Sequence, residues 1–327
     1  MSIKRSAPVQ ALLPYLRAIR YERLRRGALR EARTPVPGEG SADQPGSAFL
    51  MGSGRSGTTL LGRLFERHPE VLYLFEPYHA WAAIDPLCDV TNFHVRANSL
   101  FFMGASDVSA GAGTRFIRTM LAPVRRAGKR MLVEKTPHNV CRIGYIEALV
   151  PDRERTRYVH IVRDGVDIAR SIGRLATVGT YRIAGKPNYN QWWGLDGCKW
   201  ESLARDGAAH GYLPDEVGAL TTDEQRGAYE WLCSIGEADR WRETLGRRML
   251  EIRYADLTSR PREILEGVCD HLGLSCEGAW LDRAVAPVQP ERRNKGDALR
   301  LPAGMAARFN EYQERFGFEG RAERLPS

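Results

Sequence analysis

The stretch Ser47–Glu76, SAFLMGSGRSGTTLLGRLFERHPEVLYLFE, constrains this chain more than any other. Ala48 to Met51 reads as a short apolar strand. A loop containing Gly52, Gly54 and Gly57 follows, and Thr58-Thr59 opens an amphipathic helix. Glycine lets backbone N–H groups turn inward without Cβ obstruction, and a helix N-terminus adds partial positive charge. Together they make an anion cradle, unless the stretch is an ordinary glycine-rich turn. The spacing Gly52-x4-Gly57 copies the front of a Walker A loop, but Thr58 stands at the lysine position. Arg55 is the one cation in the loop, which suits a phosphate ligand of fewer charges, bound without magnesium.

Beyond the loop, short apolar runs alternate with helical patterns. VLYLF (71–75) reads as a strand ending at Glu76, and a polar stretch leads to a helix over 114–127. Arg130–Val133 predicts a third strand that delivers Glu134, Lys135, Thr136 and Pro137. A helix over 138–149 precedes the strand RYVHIV (157–162); Arg163-Asp164-Gly165 then opens a helix from about Val166 through Ser171 to Arg174. The alternation predicts an α/β fold: one P-loop-like domain over 46–327, with a central parallel sheet flanked by helices on both faces. In such sheets functional groups gather past the strand C-terminal ends. Arg55, Glu76, Lys135 and Arg163 are all expected there. From 175 to 247 the pattern weakens, and Trp192, Trp193, Trp200, Trp231 and Trp241 crowd into it. That segment is expected as an acceptor or lid insertion, its tryptophans either stacking an acceptor or filling core. MLEIRY (249–254) restores a strand, Pro261 opens a helix to His271, and a basic loop (291–296) precedes a last helix over 305–316.

The chain carries 48 Lys and Arg against 40 Asp and Glu, but nine of the bases and only Glu22 and Glu31 fall in the first 33 residues. Its basicity therefore describes a helical arm and linker over 1–45, and gives no reason to expect nucleic acid. The arm's helix (11–33) either meets an anionic lipid surface or another subunit, or lies as a solvated arm against the domain. Six cysteines without a CxxC pair predict scattered thiols in a reducing compartment and no zinc site. No apolar run is long enough to span a bilayer, and Arg17 and Arg20 interrupt the one leader-like stretch, so a cytoplasmic protein is expected.

Taken together, Arg55–Thr59 and Arg163–Ser171 resemble the sulfotransferases that use 3′-phosphoadenosine 5′-phosphosulfate (PAPS). RHPEVLYLFEP is similar to their carbohydrate and tyrosylprotein branches, and the likeness runs over about 46–318. It implies that Gly54, Arg55, Ser56, Gly57, Thr58 and Thr59 hold the 5′-phosphosulfate. Arg163 and Ser171, eight residues apart, would hold the ribose 3′-phosphate; a guanidinium offers a planar fork for that group. RYADL places Tyr254 near the adenine, although Ala255 replaces the family's glutamate. ERRNKG, with Arg293, Lys295 and Gly296, resembles the late loop that closes over the nucleotide.

The reaction so implied is metal-free, in-line transfer of a sulfuryl group to a hydroxyl of a carbohydrate, glycolipid or secondary-metabolite acceptor, releasing PAP. Arg55 and Lys135 are the candidates to stabilise charge growing on the leaving group. Glu76 follows Arg55 by twenty-one residues, the register of the family's general base. His79 and His138 are rival bases. Glu134, one residue from Lys135 on a strand, points to the opposite face and is expected to be a structural partner. Two other readings remain: a P-loop small-molecule kinase, which needs the lysine that Thr58 replaces, and a nucleotide-binding scaffold without catalysis.

Overall fold

The computed structural model describes residues 7–95, 98–179, 181–291 and 298–325. At its centre lie five strands: β1 (Gly46–Met51), β2 (Val71–Phe75), β3 (Met131–Lys135), β4 (Thr156–Val162) and β5 (Met249–Arg253). They run in the order β2-β3-β1-β4-β5, and every neighbouring pair is parallel. The strands are apolar on both sides because both sides are covered. Phe49, Met51, Leu132, Tyr158 and Val162 pack into one layer with Trp81, Phe116, Trp231 and Phe309. Ala48, Leu50, Val133, Val159 and Ile161 alternate to the other, with Leu61, Phe65, Leu265 and Trp280. The α/β architecture expected from the alternating pattern is the one found.

Register decides what this sheet presents. Leu50 and Phe75 both sit level with Lys135, Met51 with His160, and Val162 with Arg253. The strands therefore finish along one edge, and Gly52, Glu76, Thr136, Arg163 and Tyr254 all leave the sheet there. Lys135 is itself the last residue of β3 rather than a loop residue, since β1 and β2 extend the ladder on both of its sides.

Five helices matter to the site: α1 (Ala7–Arg33), α2 (Thr58–Phe65), α3 (Tyr78–Ile84), α4 (Gly165–Thr177) and α5 (Asp223–Leu245). Ala28 and Ala32 of α1 are buried with Ala83 of α3, so the basic arm lies against the domain. Arg118 fastens the linker by an ion pair to Glu39. The helix read over 114–127 is interrupted by a π-type turn at Ile117–Leu121, and that over 138–149 starts with a 3₁₀ turn at Pro137–Arg142. All six cysteines are free thiols, five of them buried. Among the described residues, no helix is long and apolar enough to cross a membrane.

The largest departure from the sequence expectation is α5, 23 residues long inside the weakly patterned 175–247 segment. It packs along α4, and Tyr229, Glu230, Trp231, Leu232 and Cys233 are all buried in succession. Burial on every side erases the one-faced periodicity by which a helix is recognised. Its start is marked by a capping box: Thr222 Oγ1 accepts from the Gln225 amide at 3.2 Å, and Gln225 Oε1 accepts from the Thr222 amide at 3.1 Å. Thr222→Ala should lower stability by about 1 kcal/mol. A urea midpoint that falls with unchanged slope checks this, and Thr222→Ser should recover most of the loss.

Candidate anion-binding and transfer site

The loop between β1 and α2 is shaped by its neighbours. Gly57 has φ 105°, and a Cβ placed there would lie 2.2 Å from the Tyr254 ring. A Cβ on Gly54 would meet Trp192 at the same distance. Only glycine satisfies either position. The amides of Gly57, Thr58 and Thr59 open α2 with no acceptor among the described residues, as the first N–H groups of a helix do. Beside them the buried Ser56 hydroxyl has no hydrogen-bond partner among the described residues. Unpaired donors at a helix N-terminus fit a phosphate-type oxygen.

Arg163, just after β4, and Ser171 on α4 arrive at the same place. Arg55 Nε donates to Ser171 Oγ at 3.0 Å, and an Arg163 Nη1 lies 3.5 Å from the Arg55 carbonyl. Arg163 stands 4.7 Å over the Tyr254 ring, so Tyr254 joins the loop glycine Gly57 to the arginine that follows β4. Arg163 also donates to Glu291 at 2.9 Å and to Asp167 at 3.1 Å. Asp164 caps α4 through the Val166 amide at 2.9 Å, fixing the helix that carries Ser171. Burial, then the neighbouring Arg163, lowers the pKa of Arg55. The loop, Arg163, Ser171 and Tyr254 are thus brought together.

Lys135 and Glu76 form the adjoining half. The Lys135 ammonium is fully buried; it donates to Glu76 Oε1 at 2.5 Å and to Thr59 Oγ1 at 2.9 Å, and lies 4.2 Å from the Phe75 ring centre. Burial lowers its pKa, while Glu76 opposes the shift. Glu76 is held in the left-handed region at φ 42°, as is Arg55 at φ 71°. For residues with side chains this conformation costs free energy, and it clusters where function dictates geometry.

The remaining expectations divide. Glu134 accepts from Trp81 at 3.0 Å, Asn139 at 2.8 Å and Thr136 at 2.5 Å, a structural role as read from the strand alternation. His138 is buried against Tyr78 and Phe101, and burial holds its pKa well below the usual value. His79 lies on α3, its pKa lowered by burial and by Arg20. Arg293, Lys295 and Gly296 lie outside the described residues. Among the described residues no group of three or more His, Cys, Asp or Glu is placed to hold a metal ion.

Sequence reasoning missed Glu230. This buried carboxylate on α5 accepts from the Gly54 amide at 3.2 Å, Trp192 Nε1 at 3.2 Å and Lys199 Nζ at 2.9 Å. It commits the Gly54 N–H to the protein, which leaves the amides of Gly57, Thr58 and Thr59 as unpaired donors of the turn among the described residues. The available signal was one carboxylate inside GAYEWLCSIG. Two of the five clustered tryptophans also serve this scaffold directly, Trp192 through Glu230 and Trp231 by donating to the Arg163 carbonyl at 3.0 Å.

A parallel sheet with a glycine loop, a strand-end lysine and Arg163 gathered past its strand ends defines a P-loop-like α/β fold. Residues 47–192 match the model of the Sulfotransferase family. Over 130 residues the chain is 28% identical to nodulation protein NoeE of Sinorhizobium fredii, covering 38% of this chain and 30% of that protein. Over 50 residues it is 38% identical to carbohydrate sulfotransferase 7 of Mus musculus, covering 15% and 10% respectively. The chain thus spans less than a third of the length of these curated relatives. The sulfotransferase domain of the Synechococcus PCC 7002 olefin synthase aligns at 18% identity and a TM-score of 0.44, covering 85% of this chain and 96% of that one.

Two outcomes follow from the buried groups. Glu230→Ala leaves Lys199 buried without its carboxylate and should cost about 3–5 kcal/mol by denaturant titration; Glu230→Gln keeps an acceptor for Gly54 and should cost less. Burial pushes the Glu134 carboxyl up to about 7. The folded state then binds a proton that the unfolded chain releases near the ordinary carboxylate pKa, so this contribution to stability declines as pH rises toward 7. Thermal unfolding of wild type and Glu134→Gln across that interval should show the wild type losing ground to the variant as pH rises.

Proposed function

We propose that this chain transfers a sulfuryl group from PAPS to a hydroxyl of a carbohydrate, glycolipid or secondary-metabolite acceptor. The observation that carries the reading is the meeting of Arg163, Ser171 and Tyr254 with the glycine loop, through the 3.0 Å Arg55–Ser171 contact and the stacking of Arg163 on Tyr254. A doubly phosphorylated adenosine needs two anion sites bridged by an aromatic surface, and these residues supply that combination. The family match over 47–192 supports the same reading, and the name of the carbohydrate sulfotransferase relative favours a sugar hydroxyl.

PAPS bound there would supply the sulfuryl group and depart as PAP. The amides and hydroxyls of Ser56–Thr59 would hold its 5′ end, and Arg163 and Ser171 its 3′-phosphate. Lys135 Nζ, buried and within reach of Thr59, is placed to offset negative charge growing near the first turn of α2. Glu76, partly open to solvent beside it, would accept the acceptor's hydroxyl proton on its carboxylate. The left-handed backbone at Arg55 and Glu76 aims both side chains from the ends of adjacent segments.

PAP should raise the thermal midpoint without magnesium, whereas Mg-ATP should do so weakly; the reverse preference would mark a kinase. Arg163→Ala should weaken PAP by about 10- to 100-fold, the loss of one charge-assisted contact, while leaving adenosine 5′-phosphate nearly unchanged. With a competent acceptor and labelled PAPS, Glu76→Ala should reduce kcat on the order of 10²- to 10⁴-fold with PAP binding retained. Full transfer by that variant would remove Glu76 from the base role.

A further inference from the structure

One feature of the surface goes unused by the transfer site. Leu12, Tyr15, Leu16 and Ile19 of α1 are 53–63% exposed, and their spacing puts them on one helix face. Further along α1, Leu24, Gly27 and Ala28 continue this wall, with Arg20 and Arg23 among them. Opposite it stand Leu74, Phe75 and Pro77, and between the two walls lies a groove of about 700 Å³. That size is ordinary for a small-molecule site. Phe75 and Pro77 are the residues on either side of Glu76, and the Phe75 ring is the one lying over Lys135. The groove therefore starts beside the transfer site and runs outward along α1.

The wall that α1 provides is held at several points. Tyr21 and Tyr181 share a hydroxyl–hydroxyl bond of 2.7 Å, Arg17 donates to the Arg182 carbonyl at 3.0 Å, and Ala28 and Ala32 pack with Ala83. Arg20, Arg23, Glu31, His79 and Thr119 border the groove, so its edge is polar while most of its walls are apolar. An open apolar channel continuous with an exposed apolar stripe marks a place where something else is buried.

We propose that the groove holds the alkyl or acyl chain of the acceptor, which makes the acceptor a hydroxyl-headed amphiphile. Its headgroup sits at Glu76, and its chain runs between β2 and α1 toward Ile19 and Leu16. This rests on the transfer reading and narrows it: a hydroxyl placed at Glu76 leaves the rest of its molecule beside Phe75, and the groove leading away from there is mostly hydrocarbon. The basic helix of the arm then serves as one wall of the acceptor site.

The test uses the full chain and a series of butyl, hexyl and octyl β-D-glucosides below their micelle concentrations, followed by calorimetry. Burial of each methylene should strengthen binding by up to about fourfold. Two variants probe the groove. Leu16→Glu with Ile19→Glu changes exposed residues only. Gly27→Leu fills the channel where a Cβ has nothing within 4 Å, and leucine favours the helix more than glycine does. Each should weaken octyl glucoside by at least about tenfold, the equivalent of roughly two buried methylenes, with the PAP-induced rise in thermal midpoint unchanged. Affinity independent of chain length, or undiminished in both variants, overturns the proposal. So does a wild-type dimer that the double variant makes monomeric without any chain-length trend, which would make the stripe a contact between copies. Failure of PAP to bind would instead defeat the transfer reading, while the chain-length series would still report on the groove.

Discussion

The site depends on placing cations close together in a partly buried setting and keeping them there. Arg55 and Arg163 repel, and burial disfavours the charge of Arg55 and Lys135 alike. Carboxylates offset this: Asp167 and Glu291 on Arg163, Glu76 on Lys135, and Glu230 on the neighbouring Lys199. Removing one partner of such a pair costs more than the pair itself contributes, because the remaining charge stays buried. The parallel register of the sheet is what makes the crowding possible, since it ends β1 to β5 along a single edge.

Behind that edge the scaffold is stiff. The two apolar layers grip the strands from either side, and α5 lies directly beneath the loop and the fork. From there Glu230 reaches the Gly54 amide and Trp231 the Arg163 carbonyl. A single core helix thus fixes both the glycine loop and the Arg163 turn, and their spacing is set by packing rather than by loop conformation. The left-handed residues Arg55 and Glu76 persist because what surrounds them leaves no alternative; Glu76, for instance, donates its amide to the Lys135 carbonyl at 2.8 Å.

Much of this was legible in local sequence. A strand, a glycine turn and a helix are short-range patterns, and so are Arg163 with Ser171 on the following helix and Tyr254 at the end of an apolar run. The alternating order of elements then carried the parallel sheet. What was not legible depends on tertiary neighbours. Glu230 gains its role only when α5 lies under the loop, and α5 itself lacked a recognisable stripe because it is buried on nearly every side. Lys135 was read as a residue past its strand because pairing from two neighbours cannot be seen in one strand alone. The narrow apolar stripe of α1 gave no sign of the β2 wall opposite it.

The ammonium of Lys135 touches a hydroxyl on one side and a carboxylate on the other, Thr59 at the head of α2 and Glu76 at the end of β2. The ammonium is thus a single donor shared between the head of one helix and the end of one strand. Were donor and acceptor to occupy the two sides as proposed, Lys135 would touch both, and any coupling through it would be equal in either direction.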